Sequence, residues 1–313
     1  MLKLYTGNVF YRHDTGIGHP ENAARLDAAI DGVSRAGLTE SLVRDVTAYP
    51  ETQRLIAKVH SAEYESELER AARAGFRFFH SLDNPMSLST FAAARGAVAT
   101  SLAAAADIWE RNDSKRAFVI ARPPGHHAER ASAMGFCFFN TIACVAEWLR
   151  ERPGMERIFI FDFDVHHGNG TQHLFEERDD IYYASIHRFP FYPGTGDAHE
   201  IGTGPGRGFT LNIPLASGLG DPAFLRAVED QVVRAIDDYQ PHAILLSSGF
   251  DAHRRDPIGG MNVTEHAYGE LTRRIVECAD RWCEGRLFSL MEGGYDREGL
   301  AASVSEHVTA LNG

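Results

Sequence analysis

The 313-residue chain is 44% hydrophobic, 24% charged and 10% aromatic, which excludes a disordered, collagenous or disulfide-stapled polymer and allows a single catalytic-size domain over residues 1–313. A formal charge of −12 disfavours a broad electrostatic grip on nucleic acid or an anionic membrane and mildly favours cationic substrates. Cys137, Cys144, Cys278 and Cys283 show no C-x-x-C or metal-finger spacing and read as reduced core thiols. The first residues lack the basic and apolar regions of a leader peptide, and no apolar run reads as long enough to span a bilayer, so a cytoplasmic location is expected.

In chain order, the first third reads as mostly helical, with helices near 21–36, 61–75 and the Ala-rich 89–111. From Arg116 onward, short β-branched and aromatic runs alternate with helix-periodic stretches, the pattern of a parallel sheet covered by helices. Strands are expected at 117–120, 157–161, 181–186, 209–213, 243–247 and 287–290, and helices near 137–151, 221–239 and 263–284. Asp221-Pro222 reads as an N-cap and first-turn pair. Residues 202–208, rich in glycine, read as a surface loop, and the sequence shows no linker or internal repeat.

All of these strands but 209–213 run directly into polar, glycine-bearing clusters, at 122–127, 162–168, 185–187, 249–253 and 292–295. Ligands of open α/β sheets bind at the carboxyl ends of strands, so the clusters should converge on one pocket. A single cluster reads as turn chemistry, whereas five at equivalent positions point to a site. Strand alternation puts Asp162, Asp164 and His166 on one face and Phe161, Phe163 and Val165 on the other. Burying two carboxylates and an imidazole is costly unless a cation or a hydrogen-bond network compensates. A salt-bridged core is the alternative, but no basic residue interrupts the run. Asp251 is the natural third ligand, which makes a three-ligand site with an open position, the form of catalytic zinc or iron(II). His126 and His127, fixed by a Pro-Pro-Gly turn, suit proton transfer, with added metal ligation or plain turn chemistry as alternatives. Tyr295 offers a phenolic donor to a developing oxyanion or is a turn residue only.

Taken together, Arg122-Pro-Pro-Gly-His-His-Ala128, Gly135-Phe-Cys-Phe-Phe-Asn140, Asp162-Phe-Asp-Val-His-His-Gly-Asn-Gly-Thr-Gln172, Tyr192-Pro-Gly-Thr-Gly196, Gly249-Phe-Asp-Ala-His253 and Glu292-Gly-Gly-Tyr295 resemble the histone deacetylase family. The resemblance is strongest to class II and its bacterial relatives, and with His19-Pro20-Glu21 and Arg25-Leu26 it covers nearly the whole chain in order. It implies one arginase/deacetylase-like α/β domain, a central parallel sheet of about eight strands flanked by helices. It also implies zinc, or iron(II), on Asp164, His166 and Asp251, with His127 as general base, His126 as its electrostatic partner and Tyr295 polarising the amide carbonyl. Asp162 and Asn169 would stand behind the two histidines, and Asn at 169 matches class II. A structural potassium ion is implied on Asp162, the Ser185 hydroxyl and the backbone of Asp164, His166 and Ile186. Gly135, Phe136, Tyr192 and Ile258 would wall a narrow acyl-lysine tunnel, with Tyr192 in place of the usual Phe, Arg25 near the acetate exit and Asp83 at the rim.

The implied reaction is hydrolysis of the acetyl amide of N-acetyl-lysine, in a peptide or protein, or of a similar slender acetylated amine, to acetate and free amine. One rival is an acetylpolyamine amidohydrolase, favoured by the charge and by Glu21, Glu129 and Asp83 as candidate acidic groups. It is disfavoured by Ile258, where one polyamine-selective group carries Glu. An arginase-type ureohydrolase fits the tandem histidines and Gly-Gly-Tyr295 poorly. A non-catalytic acyl-lysine-binding protein would be expected to lose the base, the tyrosine or a ligand, and all are present. A nucleotide site at 202–208 fails because no Gly-Lys-Ser/Thr follows. No direct nucleic-acid or membrane partner is expected, and a homo-oligomer is left open. The loops at 7–20 and 80–89 are expected to shape the rim.

Overall fold

A computed structural model describes residues 2–46 and 48–313; Met1 and Thr47 lie outside the described residues. In chain order the strands are β1 (Leu2–Thr6), β2 (Leu42–Arg44), β3 (Phe78–Phe79), β4 (Ser81–Pro85), β5 (Arg116–Val119), β6 (Ile158–Asp162), β7 (Ile181–Arg188), β8 (Thr210–Leu215), β9 (Ala243–Ser248) and β10 (Leu287–Met291). The helices are α1 (Ala24–Arg35), α2 (Thr52–Val59), α3 (Ala62–Arg73), α4 (Thr90–Trp109), α5 (Thr141–Arg150), α6 (Asn169–Phe175), α7 (Asp221–Ala227), α8 (Arg234–Tyr239), α9 (Glu265–Trp282) and α10 (Arg297–Asn312).

An eight-stranded sheet runs in the order β2-β1-β5-β10-β9-β6-β7-β8. Every pairing in it is parallel, and β3 and β4 form a separate antiparallel hairpin. The central strands β6, β9 and β10 are buried along their whole length, as expected when helices cover both faces of a parallel sheet. The single α/β domain with about eight strands is therefore observed. The five strands that end in polar clusters, β5, β10, β9, β6 and β7, are contiguous in the sheet. Their carboxyl ends lie side by side, and that adjacency makes the site.

Several local expectations need correction. β1 and β2 were not anticipated. The first is a short run in which Lys3 interrupts the apolar residues and reaches Asp107 at 2.8 Å. The second is a three-residue edge strand with no buried residue. The helices α2, α6 and α10 were likewise missed; α10 buries Gly299, Ala301 and Ser303 beside Leu300 and Val304, so its apolar stripe is diluted by small residues. Asp221 is not an N-cap: the helix starts after Gly220, and the Asp221 carboxylate instead accepts from the Thr264 N–H at 2.7 Å and the Thr264 hydroxyl at 2.6 Å. Helix 221–239 is continuous but passes through a π-helical turn at Val228–Val233. Finally, α4 is long and apolar enough to cross a membrane, contrary to the sequence expectation, but 83% of its apolar window is buried inside the fold. All four cysteines are buried and unpaired.

Candidate active site

The β6 strand ends at Asp162, so Asp164 and His166 are not strand residues as expected. The alternation continues through side-chain-to-backbone turns: Asp162 Oδ1 accepts from the Asp164 N–H at 3.2 Å and Asp164 Oδ1 from the His166 N–H at 2.9 Å. Phe163 and Val165 remain in the apolar core on the opposite side. Asp251 enters from the end of β9, and its Oδ1 accepts from the Val165 N–H at 2.8 Å. Ligand atoms of Asp164, His166 and Asp251 lie within 4.8 Å of one another, all three residues buried. His166 Nδ1 faces Asp164 Oδ1 at 3.0 Å and Asp251 Oδ2 at 3.1 Å.

Among the described residues no lysine or arginine hydrogen-bonds either carboxylate, so their charge is met by a protonated His166 or by a bound cation. Burial opposes charge on His166, yet the two carboxylates push its pKa up to about 9. Burial, then the Asp164 charge, pushes Asp251 up to about 7. Glycine clears the space: a Cβ at Gly249 would collide with Asp164 Oδ2, and one at Gly293 with Asp251 Oδ2 and Asp164 Oδ2. Two hard carboxylates and one imidazole around a glycine-cleared point fit a divalent metal with open coordination positions. A second trio of potential ligand atoms, from His126, Cys137 and Glu292, adjoins the first. There Glu292 is already engaged, by the N–H groups of Gly125 at 2.6 Å and His126 at 3.3 Å and by the Ser247 hydroxyl at 3.2 Å.

The adjacent histidines sit in opposite environments. His126 Nδ1 meets Asp162 Oδ2 at 3.0 Å, an oxygen that also accepts from the Tyr183 hydroxyl at 3.1 Å. Although burial disfavours its charge, Asp162 and Asp164 push His126 up to about 10. His127 Nδ1 meets Asn169 Oδ1 at 2.7 Å. Burial, then the His126 and His166 charges, holds His127 well below the ordinary histidine range. A pair of titratable groups driven apart in this way separates a cationic partner from a neutral base. Burial drives the Tyr295 hydroxyl well above its ordinary value, which keeps it a donor.

His127, His166 and Tyr295 all line one cavity of about 200 Å³, together with Asp83, Gly135, Phe136, Phe191, Tyr192 and Ile258. The structure thus brings together each residue expected in the tunnel. Gly135 and Phe136 have φ of +55° and +69°; a Cβ at Gly135 would strike the His127 ring, so only glycine fits. Phe136 is held in this unusual conformation by its N–H bond to Asn84 Oδ1, 3.0 Å. Phe191 was missed: it stacks on His166 at 5.2 Å, and the Arg188 guanidinium lies over its ring at 3.9 Å. Its only sequence signal was its place beside Tyr192.

Arg25 does not line the cavity. It is buried against the Gly-Gly-Tyr turn, where Nε donates to Gly294 O at 2.6 Å, Nη2 to Glu292 O and Nη1 to Glu21 Oε1 at 3.0 Å, and the guanidinium lies 4.9 Å from the Tyr295 ring centre. Glu21 is not a rim charge either, being fully buried between Arg25 and Arg122. Glu129 lies behind Asn169 instead of facing the cavity, which leaves Asp83 as the acidic lining residue. Ser185 pairs in register with Asp162, and its hydroxyl meets His187 Nδ1 at 2.9 Å, with Ile186 next along β7. His19 packs edge-on against Phe136 at 4.8 Å, so the 7–20 loop does reach the rim.

The profile of the histone deacetylase domain matches residues 19–311. The chain belongs to the histone deacetylase family. It is 36% identical over 302 residues to a probable deacetylase of Archaeoglobus fulgidus, covering 95% of this chain and 83% of that protein. It is also 36% identical over 279 residues to a histone deacetylase-like amidohydrolase of Pseudomonas aeruginosa, with 88% and 71% covered. The solved structure of the HDA15 HD domain superposes with a TM-score of 0.91 at 31% identity, covering 99% of this chain and 91% of that one. Histone deacetylase membership makes the chain a deacetylase-type hydrolase, with a buried residue group suited to a metal ion.

Proposed function

We propose that the chain is a zinc- or iron(II)-dependent deacetylase that hydrolyses the acetyl amide of N-acetyl-lysine or a similarly slender acetylated amine. The observation that carries this reading is the convergence of a neutral, buried His127, the Tyr295 side chain and, through His166, the Asp164/His166/Asp251 trio on one narrow aromatic cavity. Asp164, His166 and Asp251 would hold the metal, which when bound supplies Lewis acidity and lowers the pKa of water. With Nδ1–H donated to Asn169, His127 has its Nε2 lone pair free to take the proton of the attacking water. The Tyr295 hydroxyl donates to the carbonyl oxygen as negative charge develops there. His126 stays cationic against Asp162, which discourages His127 from holding its proton, and His127 then protonates the leaving amine. The proximity of Ser185 and Ile186 to Asp162 supports the structural potassium site.

Phe136, Phe191, Tyr192 and Ile258 favour an extended alkyl chain over a bulky acyl donor. An acetylpolyamine substrate is the second reading, favoured by Asp83 in the cavity lining and by the charge of −12. The test is amide hydrolysis by the zinc-loaded protein beside His127→Ala and Tyr295→Phe. Both variants should retain their metal and lose about 100-fold or more in kcat; near-normal turnover in either contradicts these roles.

A further inference from the structure

The 127–129 turn returns to the base through a third residue. Asn169 opens α6, and while its Oδ1 meets His127 Nδ1 at 2.7 Å, its Nδ2 donates to Glu129 Oε1 at 2.5 Å. The same carboxylate oxygen meets His173 Nδ1 at 2.7 Å, one turn along α6. His127 and Asn169 are buried and the Glu129 side chain is 23% exposed, so the chain of contacts runs from the cavity towards solvent. The other acceptors near Asn169 Nδ2 are weak, Met134 Sδ at 3.2 Å and His127 O at 3.5 Å.

An asparagine amide can face a histidine with either end. With Oδ1 presented, the histidine must carry its proton on Nδ1 and leaves Nε2 free as a base. With Nδ2 presented, the proton moves to Nε2 and the base is lost. A neutral amide does not choose between these by itself, whereas a carboxylate behind it does. A carboxylate offers acceptor oxygens only, so it binds the NH₂ end and turns the carbonyl end away. An aspartate at position 169 would need no such partner, since both its oxygens accept.

We infer that Glu129 is a positioning residue that fixes the amide orientation of Asn169 and, through it, the base-competent tautomer of His127. The inference rests on the reading of His127 as the general base. It separates Glu129 from the acidic groups that would meet a cationic substrate, because its carboxylate is spent on Asn169 and His173.

The test compares Glu129→Ala with Glu129→Gln in the zinc-loaded protein. With the His173 Nδ1–H holding the Gln side-chain oxygen where Glu129 Oε1 stands, that oxygen can still accept from Asn169, so Glu129→Gln should retain the orientation. The direct readout is the long-range ¹H–¹⁵N histidine spectrum, with the His127 signals identified by their loss in His127→Gln. Glu129→Ala is expected to shift His127 towards the Nε2–H tautomer and lower kcat by about 10- to 100-fold with KM changed less than about threefold; Glu129→Gln should stay near wild type in both. An unchanged tautomer and rate in Glu129→Ala overturns the inference, and so does equal damage in both variants, which would make the charge, not the acceptor, the cause. Because the spectrum needs no substrate, a wild-type protein that hydrolyses no acetylated amine while Glu129→Ala still moves the tautomer refutes the functional reading and leaves the positioning role standing.

Discussion

The Gly293 N–H donates to Asp164 Oδ2 at 2.8 Å, which ties the turn that bears Tyr295 to a carboxylate of the candidate metal trio. Two parts of the proposed chemistry, from β6 and β10, are thereby held in one geometry, and a side chain at 293 would occupy the space between Asp164 and Asp251. Gly293→Ala is therefore expected to weaken metal affinity by about 10- to 100-fold. Competition against a fluorescent zinc chelator measures this, and wild-type affinity in the variant would mean that the trio is not where the metal sits.

Glu21 supports the same turn from below. It accepts from Arg25 Nη1 and, through both carboxylate oxygens, from Arg122, all three side chains being buried. Removing its charge leaves two buried guanidinium groups without a full partner, so Glu21→Gln should cost about 3–5 kcal/mol in unfolding free energy. Denaturant titration of the chelated protein checks the figure; a loss below about 1 kcal/mol would show the network to be dispensable.

These groups differ in how readable they were in the sequence. Asp164, His166, Asp251 and the tandem histidines were legible because each ends an apolar strand that could only be buried, and a buried polar residue needs a reason. The Asp164 and His166 conformation was not, since the strand stops at Asp162 and side-chain acceptors take over the turn. Glu21 looked like a rim charge because its partner, Arg122, is 101 residues away. Phe191 sits in a proline-broken loop with no periodicity to say which face it presents. The edge strands β1 and β2 are short, and their pairing is a tertiary fact that local pattern does not encode.

Buried neutral histidines, His307 and His60 among them, make stability depend on pH. His307 donates to or accepts from the hydroxyls of Thr272 and Ser289 at 2.7 and 2.9 Å, and burial pushes its pKa down to about 3. His60, held by Glu129 O and the Asn140 N–H, is pushed down to about 4, again by burial. Both folded values lie below the unfolded value of about 6.5, so below that pH the unfolded chain binds more protons than the native one. Their stabilisation is present above about pH 6.5 and is lost as pH falls towards 4, each contributing up to about 1.4 kcal/mol per pH unit. Asp251 and Glu292, each pushed up to about 7 by burial, oppose this trend over the same window, so the chelated wild type is compared with chelated His307→Gln by urea unfolding between about pH 7.5 and 5. The wild type should lose more stability than the variant as pH falls, and parallel profiles would contradict the neutral, buried assignment.

Among the described residues the buried Tyr192 hydroxyl has no partner within 3.5 Å, and the Asp83 carboxylate and the Gly135 backbone beside it offer only longer, weaker contacts. An unpartnered buried hydroxyl is a cost, so Tyr192→Phe is expected to raise stability by about 1 kcal/mol. Turnover of an acetyl-lysine peptide should change by less than about threefold, since the aromatic wall is kept. Thermal unfolding and steady-state kinetics decide this, and a drop in kcat/KM of tenfold or more would show that the hydroxyl binds substrate.

The most direct test of the whole account is kcat/KM of the zinc-loaded protein on an acetyl-lysine peptide, N-acetylputrescine and N8-acetylspermidine, side by side, with a chelated control. The account predicts hydrolysis to acetate that chelation abolishes and zinc restores, with the peptide preferred because Ile258 and the apolar wall offer the second ammonium of a polyamine little beyond Asp83. A strong polyamine preference would replace the lysine reading with the second one, and activity that survives chelation, or none on any of the three, would contradict the central claim.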